Sequence, residues 1–361
     1  MKKDDKMAGL PLRVAVVGQG RSGFDIHVAR LRNDARFQIV AVADFDKARR
    51  DQSARELGCK TYRNHSKMLK ETDAELVIVS SYSFSHAPIA CQALEAGKNV
   101  LVEKPIAMNT GWVDRMIAAR DKSGKKLFPF HNYRYTREYV HLREVIASGI
   151  LGDVFEIRLR SLAFSRRNDW QTTRLYGGGV LNNTCPHFID LLLQMLQSPV
   201  VEVFSDLKLV QNVGDVENHV RVIMKGKNGR IADMFVSSAD AFPEPKWTVL
   251  GSTGSLVCDG TTTQIKYFEE GKLQRPYSVR RGPSLNRSYS FSDTIPWEEK
   301  TMPAEATVPH DLHDNVYSVL REGGRQDITV EDVREVVRIT QRARKEAGFY
   351  GGAARAFNPE A

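Results

Sequence analysis

The turn Gly18-Gln19-Gly20-Arg21-Ser22-Gly23 has the residue types and spacing of a phosphate-binding loop. It follows the apolar run Leu12 to Val17 and precedes a helical stretch, an order that gives each glycine a task. Gly18 makes the tight turn, Gly20 lets the backbone approach a pyrophosphate, and Gly23 allows the helix to pack closely on the strand. The first amides of that helix and its dipole favour the negative charge of the phosphates. Asp44 stands 21 residues beyond Gly23, at the end of the next apolar run. A carboxylate there accepts hydrogen bonds from the adenosine ribose and repels the extra phosphate of NADP, so the pattern specifies NAD in preference. Lys47, Arg49 and Arg50 lie close enough in sequence to keep NADP open. Lys104 is a second group with chemical potential. It ends an apolar run, where open parallel sheets place ligands, and an ammonium there can donate to a reacting oxygen.

These residues need elements to hold them. Leu12 to Gly18, Phe37 to Asp44, Glu75 to Ser80, Lys98 to Glu103 and Lys126 to Phe130 read as strands. Continuous runs such as Ile39-Val40-Ala41-Val42-Ala43 imply burial on both faces, as in a parallel sheet covered by helices. Helices are expected over Ala87 to Ala96, stopped by Gly97, and from Asn109 or Thr110 to about Asp121. Beyond Tyr139 the pattern changes to successive strands: Val154 to Ser161, Val201 to Val210, His219 to Lys225, Arg230 to Ser237, Trp247 to Leu250 and Gln264 to Glu269. Lys227-Asn228-Gly229 reads as a hairpin turn. Val330 to Ala347 carries apolar residues at helical spacing. The reading is α/β followed by α+β: a Rossmann domain over 10–135, then a domain with a large, mostly antiparallel open sheet over 136–350, with the ligand cleft between them.

Composition removes several function classes. A hydrophobic share of 42% and a charged share of 27% are those of a globular protein. No apolar run approaches the roughly 18 residues of a membrane span. The four cysteines are scattered and form no CxxC pair, so neither a disulfide framework nor a zinc site is indicated, and a reducing cytoplasm fits. His310 and His313 flank Asp311 but lack a third spaced ligand, so they read as a helix start, and no metal is expected. A net charge of +8 can attract phosphate or acidic sugars. The basic and aromatic mixture of Arg275, Tyr277, Arg280, Arg281, Arg287 and Tyr289 carries no RNA-binding signature and reads as a solvated loop; no nucleic-acid partner is expected.

Several further blocks occur in a fixed order: Val77 to His86, Ala93 to Pro105 with its Glu103-Lys104-Pro105 tripeptide, Asn132-Tyr133-Arg134, Ser148 to Val154, and Gly177 to Asp190. Together they resemble the glucose–fructose oxidoreductase and inositol dehydrogenase family (Gfo/Idh/MocA), from Leu12 to about Gly348. The resemblance implies that Lys104 contacts the hydroxyl being oxidised, that His187 is the general base, and that Glu103 holds the lysine in place. It adds Ser81, His86, Glu103 and Lys104 to the cofactor-binding set of Gly18, Gly20, Arg21, Ser22, Gly23 and Asp44. It also places Arg134, Trp170, Asn183 and His187 along the substrate cleft. The implied activity is hydride transfer between the nicotinamide and a secondary hydroxyl of a sugar, inositol or related polyol, in a homodimer or homotetramer.

Two positions depart from the family pattern. Asn183 stands where an aspartate is commonest, four residues before His187; it can orient an imidazole but cannot stabilise imidazolium as a carboxylate does. Ser81-Tyr82 replaces Thr-Pro, keeping the hydroxyl and exchanging a rigid turn for a phenol. Two rival readings stand beside the dehydrogenase: a glycosidase that retains its NAD, and, motivated by Asn183 and Tyr82, a non-catalytic nicotinamide-binding sensor or partner protein.

Overall fold

The strand Leu12–Val17 (β1) has only one side chain that is not fully buried, because strands flank it and helices cover it on both faces. The computed structural model describes residues 10–242, 244–273 and 294–349; the basic and aromatic stretch from Arg275 to Tyr289 lies outside them. β1 pairs in parallel with Phe37–Ala43 (β2) and Leu76–Val79 (β4), and the sheet is completed by Lys60–Tyr62 (β3), Asn99–Val102 (β5) and Leu127–Pro129 (β6) in the order β3-β2-β1-β4-β5-β6. All its pairs are parallel, as the uninterrupted Val/Ile/Leu/Ala runs require. The order reverses direction at β1 and β4, the point where open parallel sheets bind ligands beyond their carboxyl ends. Asn109 caps the helix Thr110–Ser123 by accepting from the Trp112 amide.

The second sheet contains Val154–Leu162 (β7), Val200–Lys208 (β8), His219–Gly226 (β9), Ile231–Ser237 (β10), Trp247–Gly251 (β11), Gly254–Cys258 (β12), Thr262–Tyr267 (β13) and Glu298–Pro303 (β14). Its order is β14-β13-β12-β11-β7-β10-β9-β8, antiparallel throughout except for β7 with β10. One face is apolar and buries Ile157, Leu159, Val220, Val222, Met234 and Val249. The helix Cys185–Leu196, almost entirely buried, packs on that face together with Val330–Glu346. The second of these helices also contacts the helix Thr110–Ser123, tying the C-terminus back to the first domain. Among the described residues no helix is long and apolar enough to cross a membrane.

Candidate active site

The glycine turn has the shape expected of a phosphate cradle. At Gly18, with φ +88°, an added Cβ would lie 2.6 Å from the Ser80 carbonyl oxygen, and at Gly23 it would lie 1.9 Å from that of Gly18. Both glycines are therefore required by the protein's own packing. At Gly20 a Cβ would meet, among the described residues, only an Arg49 nitrogen at 3.9 Å, so the backbone there leaves room that a ligand can use. Asp44, 6% exposed, is aimed by two amides: Oδ2 accepts from Gln19 at 2.7 Å and Oδ1 from Asp46 at 2.8 Å. Arg49 comes within 3.8 Å of the same carboxylate.

From this turn a cleft of about 460 Å³ runs past Ser81, His86, Glu103 and Lys104 to Arg167, Trp170, Gln171 and Asn183. Lys104 projects across it, and its Nζ donates to the backbone oxygen of Asn183 at 2.8 Å and to Oδ1 of Asn183 at 3.2 Å. Gln171 donates to the same Oδ1 at 3.2 Å. Burial pushes the Lys104 ammonium below its ordinary pKa, Arg21 and Arg167 add to that shift, and Glu103 opposes it. Glu103 accepts from the Lys104 amide at 3.1 Å, which fixes the backbone that carries the ammonium. The Lys104–Pro105 peptide bond is cis.

Behind Asn183, His187 is buried on the helix Cys185–Leu196. Its ring stacks on Tyr133 with centroids 4.0 Å apart and planes at 8°, and His131 meets it edge-on at 5.9 Å. Burial drives the His187 pKa well below the usual histidine value, and the charges of Lys104 and His131 push the same way. Its Nδ1 and both nitrogens of His131 are buried without hydrogen-bond partners among the described residues. At the other end of the cleft Tyr82 packs between the domains: Phe45 and Phe84 stack on it from the first, while Trp170 and Tyr176 close from the second at 5.1 and 4.8 Å. The Tyr82 phenol is thus an inter-domain contact.

Residues 12–131 match the model described as the oxidoreductase family with an NAD-binding Rossmann fold, and residues 139–257 match the Gfo/Idh/MocA C-terminal domain. The chain belongs to the Gfo/Idh/MocA oxidoreductase family. Its relatives include a myo-inositol 2-dehydrogenase of Thermotoga maritima, 27% identical over 269 residues, covering 72% of this chain and 79% of that protein. An NAD-binding protein from Listeria innocua superposes with a TM-score of 0.80 at 21% identity, over 93% of this chain and 97% of that one. GenD2 from gentamicin A biosynthesis, solved in complex with NAD, superposes at 0.74 with 25% identity and 94% coverage of both chains. As a member of this family the chain is an NAD-binding oxidoreductase.

Within this Gfo/Idh/MocA cleft the structure brings together Gly18, Gly20, Arg21, Ser22, Asp44, Ser81, His86, Glu103, Lys104, Trp170 and Asn183. Gly23 lies beneath the turn. His86 lines the cleft, but both nitrogens face backbone carbonyls, Nδ1 that of Pro105 at 2.8 Å and Nε2 that of Ser81 at 2.9 Å, and the neutral ring donates to one of them. Arg134 is not brought to the cleft. Its guanidinium makes two parallel bonds to Asp190, at 2.8 and 2.6 Å, which places it behind His187 in place of the expected substrate contact. Asp311 caps the helix Leu312–Tyr317 in a capping box with Asp314. Gln171, His131 and the Tyr133 ring were not foreseen as site residues. Tyr133 lies within the Asn132-Tyr133-Arg134 block, but its stacking on His187 joins segments distant in sequence.

Proposed function

We propose that this enzyme reversibly oxidises a secondary hydroxyl of a sugar, inositol or related polyol. The observation that carries this reading is the Lys104 ammonium, held by Asn183 in the cleft that begins at the glycine turn. In this reading Lys104 polarises the substrate oxygen, and His187, kept neutral by burial, accepts the hydroxyl proton. NAD, when bound, supplies the hydride acceptor. The wall opposite the glycine turn suits a hydroxyl-rich ring: Gln171 and Asn183 offer amide groups, Asp169 and Arg167 offer charge, and Trp170 offers an apolar face. Relatives that include a myo-inositol 2-dehydrogenase support the same class of substrate.

The assembly in this reading is a homodimer or homotetramer formed through the open face of the second sheet, where Phe204 and Phe155 are 58% and 50% exposed. Light scattering is expected to give an even multiple of the chain mass; a monomer would remove this part.

Lys104→Met and His187→Gln test the chemistry. Each is expected to keep NAD affinity within about threefold while turnover falls by about 10²–10⁴-fold, the usual worth of a positioned proton-transfer group. Unchanged turnover in either variant would remove that residue from the mechanism.

A further inference from the structure

The register of the first sheet sets two chemical side chains near each other. Val102 of β5 pairs with Pro129 of β6, and Lys104 and His131 each stand two residues beyond that pair, past the carboxyl ends of neighbouring strands. His187 comes to the same place from the second domain and meets His131 edge-on, with ring centroids 5.9 Å apart. Asp190 follows on the same helix, and its Oδ2 is 3.7 Å from Nδ1 of His131. His131, His187 and Asp190 are 1%, 6% and 1% exposed, so water reaches none of them freely.

What His187 can do depends on which of its nitrogens carries the proton. A neutral imidazole that accepts on one nitrogen holds its own proton on the other, and the hydrogen bond made there selects the tautomer. Asn183 supplies no carboxylate for this, and its Oδ1 already accepts from Lys104 and Gln171. Nδ1 of His187 and both nitrogens of His131 have no hydrogen-bond partner among the described residues. Buried nitrogens in folded proteins are nearly always paired, with protein or with ordered water. Three of them on two adjoining rings call for a shared polar partner, and a buried water bonded to both rings is the simplest one.

We propose that His131 is a positioning residue for His187, holding its proton on Nδ1 through one bridging water and leaving Nε2 as the base. Asp190 orients the line. It accepts two bonds from Arg134 and retains further lone pairs, and at 3.7 Å its charge favours the His131 tautomer with the proton on Nδ1. Nε2 of His131 is then an acceptor: the water donates to it and accepts from Nδ1 of His187. The parallel Tyr133 ring at 4.0 Å fixes the plane of the His187 imidazole. No proton travels along this line. His187 takes and gives up its proton at Nε2, so the arrangement is the same before and after each turnover. What His187 does rests on the dehydrogenase reading above; how it is held rests on the packing alone.

The surrounding charges keep both rings neutral. Burial is the main cause in each. Lys104 and His131 add to it at His187, while at His131 Arg134 and Lys104 add to it and Asp190 and Glu103 oppose it.

The test compares two replacements in the whole chain, with NAD and a polyol that the wild type oxidises. His131→Phe keeps a ring and removes the acceptor, whereas His131→Gln carries an amide oxygen close to the position of Nε2. His131→Phe is expected to lower kcat at least about tenfold with KM and NAD affinity within about threefold, and His131→Gln to keep kcat within about threefold of wild type. Wild-type kcat in His131→Phe would overturn the proposal. So would equal losses in the two variants, which a merely structural role produces.

The tautomer itself is a readout that needs neither variant nor substrate. Nitrogen-15 NMR of the wild-type protein near neutral pH should show His187 and His131 each protonated on Nδ1 and bare on Nε2. A His187 protonated on Nε2, the form that free histidine prefers, would contradict the proposal. A wild type that reduces no NAD on any polyol removes the dehydrogenase reading, and the tautomer still decides how His187 is held.

Discussion

Nζ of Lys104 donates to both oxygens of Asn183, the backbone carbonyl at 2.8 Å and the side-chain amide at 3.2 Å. The cleft ammonium is thereby fixed to the segment that leads, four residues later, to His187. An aspartate at position 183 would make this contact an ion pair and place a negative charge beside the histidine.

Asn183→Asp is therefore expected to raise the pKa of both Lys104 and His187. Oxidation needs His187 neutral. In the wild type burial holds its pKa well below 6.5, so kcat/KM should show no histidine limb above about pH 6. In the variant the rate should fall as pH drops through about 6–7. Superimposable profiles would show that Asn183 does not tune the base.

The two inner glycines separate folding from binding. Gly23→Ala drives a Cβ into the Gly18 carbonyl. It should destabilise the protein by about 1–3 kcal/mol, as overpacking does, and weaken NAD binding as well. Gly20→Ala meets nothing among the described residues closer than 3.9 Å, so stability should stay within about 0.5 kcal/mol while NAD affinity falls. Thermal unfolding and a cofactor titration distinguish the two; equal effects would place the pyrophosphate elsewhere.

Arg134 and Asp190 are 13% and 2% exposed in their side chains, and their paired bonds leave neither charge to water. Arg134→Ala should cost about 3–5 kcal/mol by stranding Asp190, whereas a double replacement by apolar residues of similar volume should be close to neutral. Denaturant titration checks both. A mild loss of stability with a large rise in KM would instead make Arg134 a substrate contact.

The cleft and its surroundings are acid-sensitive by construction. Burial lowers the pKa of His86, His131, His187 and His313. Each binds a proton more readily in the unfolded chain, near pH 6.5, so stability rises with pH across that interval. For His313 the contribution is complete above about pH 6.5 and is lost as pH falls toward its folded pKa of about 3. His313→Gln should therefore flatten the acid side of the stability curve by up to about 1.4 kcal/mol per pH unit. An unchanged slope would mean that His313 is protonated in the folded protein.

Much of this architecture is legible in local pattern, and what escapes is long-range or weakly patterned. Apolar runs mark β1, β2, β4 and β5 within a residue or two, because strands buried on both faces need no polar alternation. β3, three residues long, is too short to show a period. β14 reads Glu-Glu-Lys-Thr-Met-Pro, the charged composition that protects an outermost strand and resembles a loop. The glycine turn is contiguous and can be read directly. Lys104 and Asn183 are 79 positions apart, and His27 and His313 are 286 apart, so only the fold shows that they meet.

The central claim is hydride transfer from a secondary hydroxyl to NAD in the Lys104 cleft. Purified protein incubated with NAD and, in parallel, NADP, against inositols, sugars and sugar acids, tests it through absorbance of the reduced cofactor. The account predicts stoichiometric NADH with at least one such polyol, slower turnover with NADP, and loss of the signal in Lys104→Met. Tight NAD binding with no reduced cofactor across the panel, or release of a free sugar from a glycoside without net NADH, would contradict it.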